Sequence, residues 1–271
     1  MAQIKFYNGD CIKKMDQMAG ENIKVNVILT SPPYNSSRES NSKKMGCLKN
    51  GESRYDEYND SMTEGEYSDW CVEIFKRFNK ILAKNGVILW NTSYGNNNPN
   101  SMWMSLLSIL TKTDFMIADC IVWEKKCCDP ISASSNALAR KCEFVFVICR
   151  KDEFHTYQSN KKVVKVSPRG QMYYESIFNL VVADNNDGSC ELNKATFSSE
   201  LVMKLLNIYA REGDVVFDPF MGTGTTAIGC EKYNANLVCI GTELSKAQVE
   251  FSNERLNRFR RRRKYEMQTL W

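Results

Sequence analysis

The sequence predicts an open α/β fold: a doubly wound, mostly parallel sheet with a small region inserted between its two halves. Three observations carry this expectation. Short apolar, β-branched runs alternate with amphipathic stretches along the 271 residues. Two of those runs end abruptly, one at Ser31-Pro32-Pro33-Tyr34 and one at a Gly-rich turn around Gly222 and Gly224. A hydrophobic fraction of 43% with 25% charged residues suits one sizeable core.

Residues 4–7 form a short strand, followed by a helical stretch to about Met18. Residues 25–30 are an apolar strand that stops at the proline pair. Residues 35–62 are polar and read as a long loop, a length usually kept for function. Thr63 and Glu66 make a capping box. Behind them Tyr67, Trp70, Cys71, Ile74, Phe75, Phe78, Ile81 and Leu82 recur at helical spacing, which assigns these aromatics to the core rather than to a ligand.

A strand over 86–91, a helix over 102–110 and strands over 115–123 and 143–150 follow. Between 152 and 192 the periodicity weakens, while Lys161, Lys162, Lys165, Arg169, Tyr173 and Tyr174 accumulate, as in an inserted or appended unit. The alternation resumes with a helix over 199–211, a strand over 214–217, the Gly-rich turn, a helix over 225–233, a strand over 236–241 and a last helix from Ser245. The chain is therefore expected to be one domain in three parts: 1–151, about 152–192, and 193–271.

Composition excludes several function classes. No run approaches the roughly 18 apolar residues of a membrane span, and Met1-Ala2-Gln3-Ile4-Lys5 lacks the pattern of a signal peptide. A cytoplasmic location is expected. The 11 cysteines show no C-x-x-C spacing, so reduced thiols are expected rather than zinc or disulfides. The single histidine, His155, argues against a Ser-His-Asp triad or a His-rich metal centre. Net charge is +4, yet Arg258, Arg260, Arg261, Arg262, Arg263 and Lys264 alone supply six positive charges. Such a run is either a nucleic-acid contact or the solvated end of a helix.

In the second half, Asp218-Pro219-Phe220-Met221-Gly222-Thr223-Gly224-Thr225-Thr226 joins a strand to a helix start. Its glycines admit close approach of a ligand, and the helix start offers unpaired N–H groups. Glu243 ends the next strand, where a carboxylate can accept both hydroxyls of a ribose. The glycines also fit a dinucleotide fingerprint. Against NAD stand the carboxylate of Asp218 and the 28 residues after Glu243, too few for a second nucleotide-binding half. A cationic cofactor with one ribose, an adenine and an ammonium group fits better.

The other special turn, Thr30-Ser31-Pro32-Pro33-Tyr34-Asn35, lies at the carboxyl edge of the sheet. Two prolines fix the backbone and lack N–H donors, leaving the carbonyls of Ser31 and Pro32 available. A hydroxyl, free carbonyls and an aromatic face suit an extruded base, whose exocyclic amine donates to the acceptors while Tyr34 stacks on the ring. Alone, the prolines would do no more than end a strand.

Together these motifs resemble the amino-group DNA methyltransferases of restriction-modification systems. Thr30 to Tyr34 looks like that family's catalytic motif, and Asp218 to Thr226 like its methionine-binding motif. Catalytic motif first and cofactor motif last is the permuted order of the β class. Asn8-Gly9-Asp10-Cys11 resembles the segment whose Asp meets the cofactor adenine. The segments 121–125 and 142–146 are similar to the strands after the catalytic helix, and 193–198 holds the place of a segment that closes over the cofactor without its usual His and prolines.

The resemblance implies a circularly permuted, Rossmann-like class I methyltransferase fold, S-adenosylmethionine as methyl donor and double-stranded DNA as partner. It implies Ser31, Pro32, Pro33 and Tyr34 as catalytic residues. For the cofactor it implies Asp10, Cys11, Thr30, Phe197, Asp218, Pro219, Phe220, Gly222, Gly224, Thr225, Thr226, Glu243 and Leu244. A cognate restriction endonuclease and a homodimer stay open as further partners. Ser31 points to N4 of cytosine, because adenine-N6 members usually carry Asp or Asn at that place. DNA contacts are expected from Arg38, Lys43, Lys44 and Arg54 in the long loop, from 152–192 for the bases, and from Arg260, Arg261, Arg262 and Arg263 for phosphates. Methylation of adenine, of RNA or of a protein amide are the alternative activities. A nucleic-acid-binding protein with a degenerate cofactor fold is the non-enzyme alternative, and the intact Asp218, Gly222, Gly224 and Glu243 argue against it.

Overall fold

The β-branched runs become strands, the central ones buried on both faces, and the amphipathic stretches become the helices that cover them. A computed structural model describes residues 1–35, 62–93, 100–127, 138–188, 196–233 and 235–268. In chain order the elements are β1 (Gln3–Asn8), α1 (Cys11–Gly20), β2 (Val25–Thr30), α2 (Glu64–Ile81), β3 (Leu82–Thr92), α3 (Ser101–Lys112), β4 (Phe115–Lys125) and β5 (Cys142–Arg150). There follow β6 (Val163–Val166), β7 (Met172–Tyr174), β8 (Leu180–Ala183), α4 (Ser199–Tyr209), β9 (Val215–Asp218), α5 (Thr225–Tyr233), β10 (Val238–Glu243) and α6 (Lys246–Gln268). Thr63 caps α2 as the sequence predicts: its hydroxyl accepts from Glu66 N–H and Glu66 returns a bond to Thr63 N–H.

Eight strands form one sheet in the order β1-β10-β9-β2-β3-β5-β4-β8. The first five are parallel, β5 is antiparallel to β3 and β4, and β8 is parallel to β4. Alternation along β2 explains the two layers. Val27 and Leu29 pack on one face with Leu201 and Leu205 of α4, whereas Ile28 packs on the other with Phe75 and Phe78 of α2. The parallel strands direct their carboxyl ends to one edge. Gly9, Ser31, Pro219 and Leu244 follow directly on the strand ends there.

The region 152–192 stands less apart than its composition suggests. β8 is an edge strand of the main sheet, with Val181 and Ala183 buried and their neighbours exposed. Gln158 N–H bonds to the Asn85 carbonyl, and its side chain to Tyr209 O at 2.6 Å. The β6–β7 hairpin is a separate antiparallel pair with every residue exposed. A four-residue strand with two buried side chains is too short to register as periodicity.

Candidate active site

Four strand ends and two turns enclose a cleft of about 1040 Å³, its open mouth included. The β1 end contributes Gly9, Asp10 and Cys11; the β2 end contributes Ser31 to Tyr34; the β9 and β10 ends contribute Pro219 to Thr223, Thr225, Glu243, Leu244 and Ser245. Thr196 and Phe197, Trp70 from α2 and Gln248 from α6 complete the wall. The two motifs read from the sequence thus face one space, although 188 residues separate Thr30 from Asp218.

Backbone geometry explains the glycines. Gly222 and Gly224 take φ values of +54° and +82°, where a Cβ is strained. The Gly222 N–H donates to Glu243 Oε2 at 2.9 Å, and the Ser245 N–H to Oε1 at 2.9 Å. The β10 carboxylate is thereby fixed at the rim of the cleft. Asp10 caps α1 by accepting from Lys13 N–H at 3.0 Å. Burial, then the charge of Asp10, pushes the Cys11 thiol up to about 12, so it is a protonated wall and not a nucleophile.

Asp218 departs from its expected place. It is fully buried and does not line the cleft; its oxygens accept from Thr30 Oγ1 at 2.6 Å, Phe220 N–H at 3.0 Å and Thr226 Oγ1 at 2.5 Å. Burial raises its carboxyl to about 6 against the pull of Thr226, Thr30 and the Phe220 N–H, with the Glu243 charge adding to the rise. Thr30 and Thr226, buried with it, are likewise no part of the wall, and neither is Gly224, which packs on Ser252. Asp218, Thr30 and Thr226 act on the cleft by joining the Ser31 strand to the Gly-rich turn. Among the expected cofactor residues, Asp10, Cys11, Phe197, Pro219, Phe220, Gly222, Thr225, Glu243 and Leu244 do line it.

The Ser31 turn is pinned from behind. Tyr67 Oη donates to the Pro33 carbonyl at 2.8 Å, and the Asn35 side chain pairs with the Met62 backbone through two 2.8 Å bonds. Thr30 pairs with Trp90 across β2 and β3, which sets Asn91 beside Ser31. Ser31 Oγ lies 2.9 Å from Tyr34 Oη. Asn91 Nδ2 lies 2.8 Å from Tyr34 Oη, 3.2 Å from Glu143 Oε2 and 3.4 Å from Ser31 Oγ. Glu143 Oε1 in turn meets Lys125 Nζ at 2.7 Å.

Asn91 lies in no motif, and Lys125 and Glu143 belong to the segments 121–125 and 142–146, whose resemblance marks strands rather than these side chains. The signal for Asn91 and Glu143 is a polar side chain inside an otherwise apolar strand, Trp90-Asn91 and Cys142-Glu143-Phe144. Trp70, expected in the core, instead lines the cleft, with its ring 5.4 Å from that of Phe220.

The expected DNA contacts divide. Arg38, Lys43, Lys44 and Arg54 lie outside the described residues. On α6, Arg260 Nε donates to Glu231 Oε1 at 2.6 Å and Arg260 Nη2 to the Ala2 carbonyl at 2.7 Å, while Arg263 holds the Glu231 carbonyl at 2.8 Å. Glu231 is fully buried, so Arg260 neutralises an interior charge. The expectation of four phosphate-facing arginines is corrected at Arg260 and Arg263. Arg261 and Arg262 are exposed.

The profile of the DNA methylase family, covering N6 and N4 methyltransferases, matches residues 25–254. The orphan methyltransferase M.BamHII of Bacillus amyloliquefaciens is 26% identical over 236 residues, covering 74% of this chain and 86% of its own. The type II methyltransferase M.HinfI of Haemophilus influenzae is 24% identical over 255 residues, covering 92% of this chain and 67% of its own. Among solved structures, the cytosine-N4-specific PvuII DNA methyltransferase superposes with a TM-score of 0.65 at 17% identity, over 97% of this chain and 93% of that one. M1.HpyAVI in complex with its SAM ligand gives 0.57 at 20% identity, over 94% and 100%. The chain belongs to the DNA methylase family.

Proposed function

We propose that this member of the DNA methylase family transfers a methyl group from S-adenosylmethionine to the exocyclic amino group of a base flipped out of duplex DNA, at N4 of cytosine. The observation that carries this is the single cleft onto which both the Ser31 turn and the Gly222 turn open. The cleft fits the donor's chemistry. Carboxylates at Asp10 and Glu243, polar backbone at Gly222 and the rings of Phe197, Trp70 and Phe220 surround a space suited to a ribose, an adenine and a cationic centre. When bound, the donor supplies an electrophilic methyl on a sulfonium.

The residues of the chain do the rest. Glu243, held by Gly222 and Ser245, accepts from the ribose hydroxyls. Ser31 Oγ and the Pro32 carbonyl accept the two amine hydrogens, which leaves the nitrogen lone pair aimed at the donor. Tyr34 stacks on the base, and Tyr67 holds its turn rigid through the Pro33 carbonyl. A hydroxyl at position 31 favours cytosine, and the likeness to a cytosine-N4-specific fold supports the same choice. Arg261 and Arg262 would meet phosphates, and the exposed β6–β7 hairpin, with Tyr173, Tyr174 and Lys165, would meet bases.

The test is to incubate duplex DNA with isotope-labelled donor, digest it to nucleosides and identify the labelled one by mass spectrometry. N4-methylcytosine is expected. N6-methyladenine would move the assignment to the other base, and absence of any methylated nucleoside would overturn the proposed activity.

A further inference from the structure

Behind the catalytic turn lies a chain of polar groups that no stacking or donor-binding role explains. It runs from Ser31 Oγ to Tyr34 Oη at 2.9 Å, from Tyr34 Oη to Glu143 Oε2 at 3.3 Å, and from Glu143 Oε1 to Lys125 Nζ at 2.7 Å. Its polarity follows from counting protons. A phenol has one proton, and Tyr34 donates it to the carboxylate, so its oxygen must accept from Ser31 and from Asn91 Nδ2. Ser31, having donated to Tyr34, then turns only lone pairs toward the cleft. A hydroxyl oriented this way accepts a proton from an amine and cannot donate one to it.

We propose that Ser31, Tyr34 and Glu143 form a proton relay, with Glu143 as the terminal acceptor and Lys125 as the cation paired with it. The proposal rests on the amine methylation set out above. Transfer forms an N–C bond at the base amine and breaks the C–S bond of the donor, whose electron pair stays on sulfur. The nitrogen is left with one proton too many. That proton passes to Ser31 Oγ, the serine proton to Tyr34 Oη, and the tyrosine proton to Glu143, which becomes a neutral carboxylic acid and returns its proton to water. Two observations suit Glu143 to this end point. Its side chain is 16% exposed, shielded enough to hold its geometry yet open to solvent for release, and it pairs with Lys125, itself 22% exposed. Asn91 supports the order of the chain, since its Nδ2 carries two hydrogens and lies nearest Tyr34 Oη at 2.8 Å, ahead of Glu143 Oε2 at 3.2 Å and Ser31 Oγ at 3.4 Å. The 3.3 Å link is longer than an ordinary O–H···O bond, as relays often are before substrate closes them.

Glu143 acts through Tyr34 and touches no substrate, so it is a positioning and relay residue, and its test must separate the rate of transfer from binding. Single-turnover transfer to duplex DNA with labelled S-adenosylmethionine is compared for the wild type, Glu143→Gln, Tyr34→Phe and the double variant, with donor and DNA affinities measured alongside. Glutamine keeps the shape and an acceptor oxygen but takes no proton. The transfer rate of Glu143→Gln should fall on the order of 100-fold with both affinities within about threefold. Tyr34→Phe should fall similarly and the double variant no further, because either change cuts the same chain. Glu143→Asp, which restores a carboxylate, should recover part of the rate. Wild-type transfer alongside an unimpaired Glu143→Gln overturns the relay and leaves the methylation standing. Parallel loss of rate and affinity in Glu143→Gln, with no recovery in Glu143→Asp, overturns it in favour of a structural brace. A wild type that methylates no DNA overturns both.

Discussion

Asp218 shows how a residue can be found in the sequence and misplaced in its role. Its position at the end of a strand and before two glycines marks it for a ligand, yet its side chain turns inward to three donors, two hydroxyls and an N–H, none of them a cation. Nothing in the local sequence distinguishes these outcomes, because Thr30, one of the donors, is 188 residues away. The inward turn has a measurable consequence. A carboxyl raised from 3.8 to about 6 on folding contributes stability fully below pH 4, and loses it as the pH climbs through about 6. The stability margin of the wild type over Asp218→Asn should therefore shrink between pH 4 and 7, by at most about 3 kcal/mol at 1.36 kcal/mol per unit. Denaturant melts of both proteins across that range check it; a margin that grows with pH would contradict it. The positive φ of Gly222 and the strand-end place of Glu243, by contrast, were legible, since both are local properties.

Among the elements, the last helix most needed the structure. A run of arginines has no internal feature to say which side chains face the protein, and α6 carries few apolar residues to betray its buried face. The structure sorts the run by what lies beneath it. Arg260 covers the fully buried carboxylate of Glu231, while Arg261 and Arg262 point to solvent. Removing the partner of a buried charge costs about 3–5 kcal/mol, so Arg260→Ala should destabilise the fold by that order in a denaturant melt. Arg261→Ala with Arg262→Ala should leave the melt within about 0.5 kcal/mol and lower the salt-dependence slope of DNA affinity by about 2. The opposite assignment of effects would reverse the two faces of the helix. Strand β8 escaped for a different reason: four residues pair with β4 through tertiary contact and have too little pattern of their own.

Across the whole molecule the permuted order of motifs has a simple cause in the topology. The parallel strands β1, β10, β9, β2 and β3 direct their carboxyl ends to one edge, so chain order is irrelevant to which turns meet there. Alternating strands and helices made that edge predictable, and with it most of the cleft wall. The polar backing of Asn91, Glu143 and Lys125 was not, because it is assembled by β3, β4 and β5 lying side by side. The proposed function gives the two turns separable tasks: the Gly222 turn would hold the methyl donor, and the Ser31 turn the amine that receives the methyl. That division is tested most directly by measuring label transfer to duplex DNA and donor affinity by calorimetry on the same preparation of Ser31→Ala. The account predicts that transfer falls at least about 100-fold while the donor Kd stays within about threefold of wild type. Transfer at the wild-type rate, or loss of donor binding in step with loss of transfer, would contradict it.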